Sequence, residues 1–298
     1  MINNKVAVLV NSCDSYSDIW QYFFYFVDTY WKDCPYKFYL NTETSFYDYT
    51  APCGEKLENI NSKIGLPWSK RLINALNSIR EEYVIHILDD SFILENVNQN
   101  TIEKCLSNME NDKNIGCFHF EEHIPNPYNT KENGYGFRQM DSRESFLSTA
   151  HATLWRKTFL KKILRKDENP WQFELYGTER IRHYREKVYA LSADSPSVIH
   201  YYVKGRGGYG ISGGKWAPNT VNLFKKHNLT CDFSKRGFYD IDKMTAVDLM
   251  GTNPKLSFFD KLFLPVSDKK LFKEKMEPRV LKLESKIDIL GRLKNLFN

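Results

Sequence analysis

The sequence of 298 residues lacks paired cysteines and long apolar runs. Its 6 cysteines lie far apart, and none has the Cys-x-x-Cys spacing of a zinc or redox site. The apolar run nearest the N-terminus covers residues 6–10, which is too short for a signal-peptide core or a membrane span. We therefore expect a cytoplasmic chain that is neither secreted nor transmembrane.

Net charge is absent from most of the chain. The formal charge is +5, and residues 255–298 account for all of it, with eleven Lys and Arg against six Asp and Glu. The neutral residues 1–254 offer little attraction to a nucleic-acid backbone, so we expect no nucleic-acid partner. Because 42% of all residues are hydrophobic and 15% are aromatic, the chain has ample material for a large core.

The basic segment 255–298 ends in apolar residues at helical spacing among cations, namely Ile289, Leu290, Leu293, Leu296 and Phe297. This pattern is typical of a helix that lies at a membrane interface. It is also typical of a surface helix that docks on its own domain or on a partner. We expect one domain over residues 1–254 and a basic amphipathic helical tail over residues 255–298, with peripheral contact to the inner face of the cytoplasmic membrane as one role of the tail.

Strand-like and helix-like segments alternate along residues 5–186, which predicts an α/β fold with a mostly parallel sheet flanked by helices. Predicted strands cover residues 5–11, 37–40, 83–88 and 115–120, with a further extended segment over 149–155. Predicted helices cover residues 19–30, 69–81, 98–110 and 171–186. We expect Ser69 to cap the second of these helices and Asn98 to open the third.

Two adjacent carboxylates, Asp89 and Asp90, end the apolar strand of residues 83–88 abruptly. In an open α/β sheet the carboxyl ends of the strands border the ligand crevice. Carboxylates are also the oxygen ligands that Mg²⁺ and Mn²⁺ prefer when they hold a diphosphate. The pair therefore predicts a site for a divalent cation or a polar ligand. The alternative is that one aspartate caps the following turn and the other is solvated.

Four segments of the sequence together resemble segments of a known family. They are Val10-Asn11-Ser12-Cys13-Asp14, Pro67-Trp68-Ser69-Lys70-Arg71-Leu72, Leu88-Asp89-Asp90-Ser91, and Glu168-Asn169-Pro170-Trp171-Gln172-Phe173-Glu174 with Gly177-Thr178-Glu179. Over roughly residues 5–230, the chain resembles the nucleotide-sugar-dependent glycosyltransferases of bacterial surface-polysaccharide synthesis (capsule, O-antigen or lipopolysaccharide), which have the GT-A type of fold.

The resemblance implies a GT-A-like, Rossmann-like sheet and a nucleotide-diphosphate sugar bound under the turn of the first strand, with a UDP-sugar favoured. The donor-binding candidates are Asn11, Ser12, Asp14, Trp68, Arg71 and Asp89. Asp89 and Asp90 stand in the family's metal position, but adjacent aspartates replace the usual Asp-x-Asp spacing, so dependence on Mn²⁺ or Mg²⁺ stays open. The resemblance also implies that a hexopyranose or galactofuranose is transferred to a glycan or lipid-linked oligosaccharide acceptor.

Sugar transfer with inversion requires a carboxylate base that takes the proton of the acceptor hydroxyl. Glu174 and Glu179 are the candidates, and Asp90 is a third carboxylate at the strand ends. The alternative for Glu174 is a favourable charge near a helix N-terminus, worth about 0.3–1 kcal/mol. Arg71 either pairs with a phosphate through its guanidinium group or is a solvated helix residue.

Further candidates are expected near the acceptor and the donor. His151 and Trp171 are candidates for contact with the acceptor sugar, and the alternative for His151 is a hydrogen-bonded core histidine. The glycine-rich residues 204–215 include Lys204 and Arg206, and such a segment can close as a lid over a diphosphate. The alternative for this segment is a plain surface loop.

Two other functional classes fit parts of the sequence. The run His119-Phe120-Glu121-Glu122-His123 matches the His-x-x-Glu-His pattern of some zinc peptidases. That chemistry requires a helix, whereas Gly116 before the run and Pro125 after it favour a strand that ends in a loop. A non-catalytic sugar-binding module or scaffold is the other class. We expect the transferase, a hexosyltransferase-type enzyme.

Overall fold

The computed structural model describes residues 3–120, 126–203, 207–208 and 210–239. The strands of the main sheet are β1 (Val6–Asn11), β2 (Lys37–Thr42), β3 (Glu58–Asn61), β4 (Tyr83–Ile87), β5 (Ile115–His119), β6 (Phe137–Gln139), β7 (Thr153–Arg156) and β8 (Lys187–Leu191). The helices are α1 (Trp20–Tyr30), α2 (Trp68–Ser78), α3 (Gln99–Asn111), α4 (Lys157–Ile163), α5 (Pro170–Arg182) and α6 (Thr220–Lys226). Short paired strands follow β8, namely β9 (Tyr202–Val203), β10 (Gly207–Gly208), β11 (Ile211–Ser212) and β12 (Lys215–Trp216).

The main sheet has the strand order β3-β2-β1-β4-β7-β5-β8-β6. Strand β1 pairs in parallel with both β2 and β4, and β5 pairs in parallel with β8. Strand β7 runs antiparallel between β4 and β5, and β6 is antiparallel at the β8 edge. Because β6 and β7 alone run against the other strands of this sheet, the predicted α/β class with a mostly parallel sheet flanked by helices is confirmed.

Strand β1 lies between two layers of helices, and all of its residues are buried. Val6, Val8 and Val10 belong to the core that includes side chains of α1 and α3, whereas Ala7 and Leu9 belong to the core with α2, α4 and α5. This alternation follows from the two-residue period of a strand. The parallel strands β1, β2, β3 and β4 end at the same side of the sheet, which we call the carboxyl edge.

The two predictions about helix starts have different outcomes. Asn98 caps α3, because its side chain accepts a hydrogen bond from Thr101 N at 3.1 Å. The prediction that Ser69 caps α2 is wrong, since Pro67 holds the cap position and Ser69 lies in the first helical turn. The Ser69 hydroxyl instead accepts a hydrogen bond from Glu168 N at 2.8 Å, which joins the start of α2 to the segment before α5.

Some sequence predictions fall outside the part of the chain that the structure describes. These are the basic tail of residues 255–298 and the donor candidates Lys204 and Arg206. Among the described residues, no helix combines the length and the apolar character needed to cross a membrane. The cysteines all lie in the described ranges, and each is a free thiol.

Candidate functional site

A hydrogen-bonded cluster joins the ends of β1 and β4 at the carboxyl edge. Ser12 Oγ donates a hydrogen bond to Asp89 Oδ2. Trp20 Nε1, at the start of α1, donates to both groups, at 2.8 Å to Ser12 Oγ and 2.9 Å to Asp89 Oδ2. Asp89 is buried, so the cluster fixes the turn after β1 against the end of β4 from inside the protein.

The adjacent carboxylates Asp89 and Asp90 have different surroundings. Burial raises the pKa of Asp89 to about 8, although the hydrogen bond from Ser12 acts in the opposite direction. Burial also raises the pKa of Asp90 to about 6, and the nearby His151 opposes this increase. At neutral pH Asp89 is therefore mainly protonated and Asp90 mainly ionised, so that the pair carries about one negative charge.

Gly210 lies directly over the backbone of Asp90. The neighbouring Ile211 N donates a hydrogen bond to Asp90 O at 2.8 Å, and Ser91 forms a β-bridge with Gly210. A Cβ atom on Gly210 would lie 2.0 Å from Asp90 O, and the φ angle of Gly210 is +129°. Only glycine fits this position, which packs the segment at residues 210–211 against the candidate site.

Asp14 holds the loop that follows β2. Its carboxylate accepts hydrogen bonds from Thr44 N and Ser45 N, each at 3.0 Å. Burial would raise the pKa of Asp14, but the hydrogen bonds from Thr44 and Ser45 outweigh burial and hold the pKa well below its usual range. The side chain of Asp14 therefore positions residues 43–45 beside the turn after β1.

Arg71, in the first turns of α2, contacts the same turn. Its Nη1 donates a hydrogen bond to Ser12 O at 2.7 Å and lies 3.0 Å from Glu43 Oε1. Glu43 Oε2 in turn accepts a hydrogen bond from Asp14 N at 2.6 Å. Arg71 is 7% exposed, so the solvated alternative for this residue is wrong. Its buried Nε has no hydrogen-bond partner.

Asn11 and Trp68 complete the set of described donor candidates. Asn11 Oδ1 accepts a hydrogen bond from Asn41 Nδ2 at 2.5 Å, and both side chains are buried. Asn11 Nδ2 is buried without a hydrogen-bond partner. Trp68 is half-buried at the start of α2, with its ring centroid 6.1 Å from that of His86 in β4.

The two glutamates of α5 make different contacts. Glu174 Oε1 accepts hydrogen bonds from Thr149 Oγ1 at 3.1 Å and from Ala150 N at 2.9 Å. Glu174 therefore lies against the segment that leads into His151. Glu179 is buried and forms an ion pair with Arg182 of the same helix.

His151 lies at a small pocket beside the end of β4. Leu88 and Ser91 line this pocket together with His151 and Tyr201. The His151 ring stacks on the Tyr201 ring with centroids 5.8 Å apart and an angle of 8° between the planes. Trp171 lies in the first turn of α5 and is 37% exposed, which leaves part of its ring available to a ligand.

The residues at the end of β4 fit a divalent cation only in part. Across residues 3–120, 126–203, 207–208 and 210–239, no group of three or more His, Cys, Asp and Glu side chains is arranged to hold a metal ion. A Mg²⁺ ion shared with a diphosphate needs only one or two protein carboxylates, and Asp90 fits that role. Asp89 fits less well, because its Oδ2 already accepts hydrogen bonds from Ser12 and Trp20.

His119, the first histidine of the peptidase-like run, lies in strand β5, as the flanking residues predict. Its ring nitrogens lie 3.0 Å from Thr153 Oγ1 and 3.1 Å from Leu147 O. A strand does not provide the helical face that this zinc chemistry requires. His123 lies outside the described residues.

No protein-family model and no curated protein matches the sequence. Among solved structures, the chain is similar to Staphylococcus aureus TarS 1–349 in complex with UDP-GlcNAc, with 12% identity and a TM-score of 0.49 over 97% of this chain and 77% of that chain. The same TarS fragment in complex with UDP gives 12% identity and a TM-score of 0.44 over 65% of this chain and 59% of that chain. A mycobacterial protein gives 8% identity and a TM-score of 0.38 over 76% of each chain. The match with TarS 1–349 without ligand also spans 59% of that chain, which is less than two thirds of its length.

Proposed function

We propose that the protein is a glycosyltransferase that moves a sugar from a nucleotide-diphosphate donor to a saccharide acceptor in cell-surface glycan synthesis. The observation that carries the proposal is the convergence of Ser12, Asp89 and Arg71 at the carboxyl edge, with Asp90 beside them. Open α/β sheets bind their ligands at this edge. The resemblance of the surrounding motifs to nucleotide-sugar glycosyltransferases supports the same conclusion.

In this proposal the nucleotide lies against the turn after β1 and the start of α2, where the donor candidates are Asn11, Ser12, Asp14, Trp68, Arg71 and Asp89. Asp90 holds the donor, either through Mn²⁺ or Mg²⁺ at the diphosphate or through a hydroxyl group of the donor. The unpartnered Nε of Arg71 supports a role for this residue as a donor to the departing diphosphate. Lys204 and Arg206 complete the proposed donor site as parts of a lid.

Glu174 is the proposed base. It takes the proton of the acceptor hydroxyl while that oxygen bonds to the anomeric carbon, and the bond from this carbon to the diphosphate oxygen breaks. A single displacement of this kind inverts the anomeric configuration. Glu179 is the second candidate for the base, and His151 and Trp171 are the proposed contacts with the acceptor.

The favoured donor is a UDP-hexopyranose or UDP-galactofuranose, and the favoured acceptor is a lipid-linked saccharide of capsule or O-antigen synthesis. The location at the inner face of the cytoplasmic membrane, with residues 255–298 in peripheral contact, belongs to the same proposal. It is supported by the basic amphipathic pattern of that segment.

A thermal-shift panel tests the proposal. The panel measures the melting temperature of the protein, of Asp90→Ala and of the control Asp33→Ala. Each is measured with UDP, UDP-GlcNAc, GDP, CMP or dTDP, in the presence of Mn²⁺ or of EDTA. Asp33 precedes β2, and its side chain is exposed. A nucleotide at about 100 times its Kd raises the melting temperature by about 5 °C through mass action. We expect the shift in the protein and in Asp33→Ala, and its loss in Asp90→Ala. A shift that persists in EDTA removes the metal from the proposal, and no shift with any nucleotide contradicts the proposal itself.

A further inference from the structure

Three loops at the carboxyl edge each present a large apolar side chain to solvent. Phe46 follows β2 and is 70% exposed, Ile64 precedes α2 and is 76% exposed, and Trp171 begins α5 and is 37% exposed. Phe46 and Ile64 have the highest exposure of any large apolar side chain among the described residues. Exposure of this kind at one side of a domain indicates a contact surface.

Hydrogen bonds hold these loops next to one another. Asn61 Nδ2 donates to Ser45 O at 3.0 Å, which ties the loop of Phe46 to the loop of Ile64. At the other end of the same loop, Ser69 N donates to Glu168 O at 3.1 Å, so that the start of α2 lies against the start of α5. The segments that carry Phe46, Ile64 and Trp171 are therefore joined in series at the carboxyl edge.

Four cations lie close in sequence to Ile64 and Trp171. Lys63 precedes Ile64, Lys70 lies in the first turn of α2, and Arg165 and Lys166 precede α5. Within the described ranges Lys63, Lys70 and Lys166 form no ion pair, although Asp167 lies beside them in sequence. The buried Glu168 pairs instead with Arg180. We call these four cations and Phe46, Ile64 and Trp171 the rim. On the loop of Phe46, Glu43 and Asp48 pair with Arg71 and Lys56. Four rim cations against the remaining anions of these segments, Glu55 and Asp167, leave a net charge of +2.

We propose that the rim binds the surface of an anionic phospholipid bilayer, with its apolar side chains in the interfacial layer and its cations among the head groups. Apolar tips interspersed with long cationic side chains are the composition that such an interface selects, and tryptophan is enriched there. The tips come from separate loops with cations between them, which fits a soft lipid surface better than the flat apolar face of a protein partner.

The rim consists of residues other than the tail of residues 255–298, and its binding to lipid does not depend on the proposed transferase activity. The rim loops are also the loops of the candidate site, because Glu43 pairs with Arg71 and Asp14 holds Thr44. Binding through the rim would place the opening of the candidate site at the lipid interface, where a lipid-linked acceptor would be reached.

Sedimentation of the full chain with sucrose-loaded vesicles tests the rim. We expect binding to phosphatidylglycerol vesicles and much weaker binding to phosphatidylcholine vesicles. Lys63→Gln/Lys70→Gln should weaken binding by about fivefold for each cation at low salt. Lys32→Gln/Lys113→Gln is the matched control, because these exposed lysines precede β2 and β5 at the opposite edge of the sheet. Equal loss in both double variants, or no binding to anionic vesicles, overturns the proposal.

Phe46→Ser/Ile64→Ser tests the apolar part of the rim, with Tyr128→Ser as its control. Tyr128 is 40% exposed and packs on Arg143, close in sequence to β6 at the far edge of the sheet. We expect binding to fall at least about tenfold in the double variant, since two apolar side chains lose their burial in lipid. An unchanged melting temperature of this variant without ligand would show that the fold is intact, and unchanged vesicle binding would overturn the proposal.

Tryptophan fluorescence provides a second measurement at the rim itself. Trp20, Trp31, Trp155 and Trp216 are buried, Trp68 is half-buried, and Trp171 is the most exposed of the six tryptophans. Phosphatidylglycerol with brominated acyl chains should therefore quench the protein's fluorescence, and Trp171→Phe should reduce that quenching, with the remainder coming from Trp68. Quenching that is the same in Trp171→Phe contradicts insertion of the rim.

Discussion

Ser12 and Asp89, which are far apart in the sequence, share a buried hydrogen bond that joins the first turn of the protein to the end of β4. Trp20 donates a hydrogen bond to each of them. The acidic pair is therefore divided between two tasks. Asp89 joins the turn after β1 to the end of β4, and Asp90 is the carboxylate that remains available to a ligand.

Substitution of Asp89 tests this division through stability. Asp89→Ala removes the acceptor for Ser12 and Trp20 and should lower the free energy of unfolding by about 1–3 kcal/mol. Asp89→Asn keeps an acceptor of the same shape and should cost less than about 1 kcal/mol. Urea unfolding measures both values. If the two variants lose the same stability, the hydrogen bonds are not the reason that Asp89 matters.

The pH dependence of stability follows from the raised pKa of Asp89. The unfolded carboxyl has a pKa of about 3.9, whereas the folded one is raised to about 8. The folded state thus binds the proton of Asp89 more tightly than the unfolded state does. The contribution of protonated Asp89 to the free energy of unfolding is fully present below pH 4 and is lost as the pH rises through 8. Between these limits the free energy of unfolding should fall by at most about 1.4 kcal/mol per pH unit.

Asp89→Asn is the comparison for this prediction, because it cannot ionise. Urea unfolding at pH 5.5, 6.5 and 7.5 should show the protein losing stability relative to Asp89→Asn at each step. Asp90, with a pKa raised to about 6, is present in both proteins, so its own titration cancels in this comparison. A stability difference that stays constant with pH would contradict the protonated state of Asp89.

Two glycines provide a matched test of the contact over Asp90. Gly210 and Gly214 both have positive φ angles, +129° and +77°. A Cβ atom added to Gly210 would meet Asp90 O, whereas a Cβ atom added to Gly214 would meet nothing within 4 Å. Gly214→Ala should cost about 1 kcal/mol of backbone strain. Gly210→Ala should cost at least about 1–3 kcal/mol more, because Asp90 must move. We also expect it to reduce the nucleotide thermal shift. Equal effects in both variants would refute the close packing at Asp90.

The two glutamates of α5 are separated by assays of turnover and stability. Glu174→Gln keeps an acceptor for Thr149 and Ala150, so the free energy of unfolding should change by less than about 1 kcal/mol. The rate of UDP release from the donor should fall about 100-fold or more in this variant if Glu174 is the base. Glu179→Gln should instead lower the free energy of unfolding by about 1–3 kcal/mol, because its pairing with Arg182 is buried. The reverse pattern would assign the base to Glu179.

The parts of the fold that depend on local sequence were predictable. The apolar runs at residues 5–11 and 83–88 became β1 and β4 with small changes at their ends, and Asn98 caps α3 as expected. The short strands β3 and β6 have no apolar alternation that would identify them. The placement of β7 between β4 and β5 depends on pairing between distant residues, for which the sequence pattern carries no signal.

The candidate site was predictable only in its position. A strand that ends in two aspartates indicated the carboxyl edge, and the structure places Asp89 and Asp90 there. The contacts of Trp20 with Ser12 and of Glu43 with Arg71 were missed, because they join residues from separate elements. A buried indole and a glutamate in a loop have no distinguishing pattern in a sequence as aromatic and as charged as this one.

The position of β7 has a consequence for how the protein is made. Strand β4 pairs on one side with β1 and on the other with β7, so its second edge has no partner until residues 153–156 have been synthesised. A nascent chain of about 150 residues therefore presents an open, apolar strand edge, which favours pairing between chains. Ribosome pausing before β7 should promote aggregation, whereas a pause after it should be tolerated.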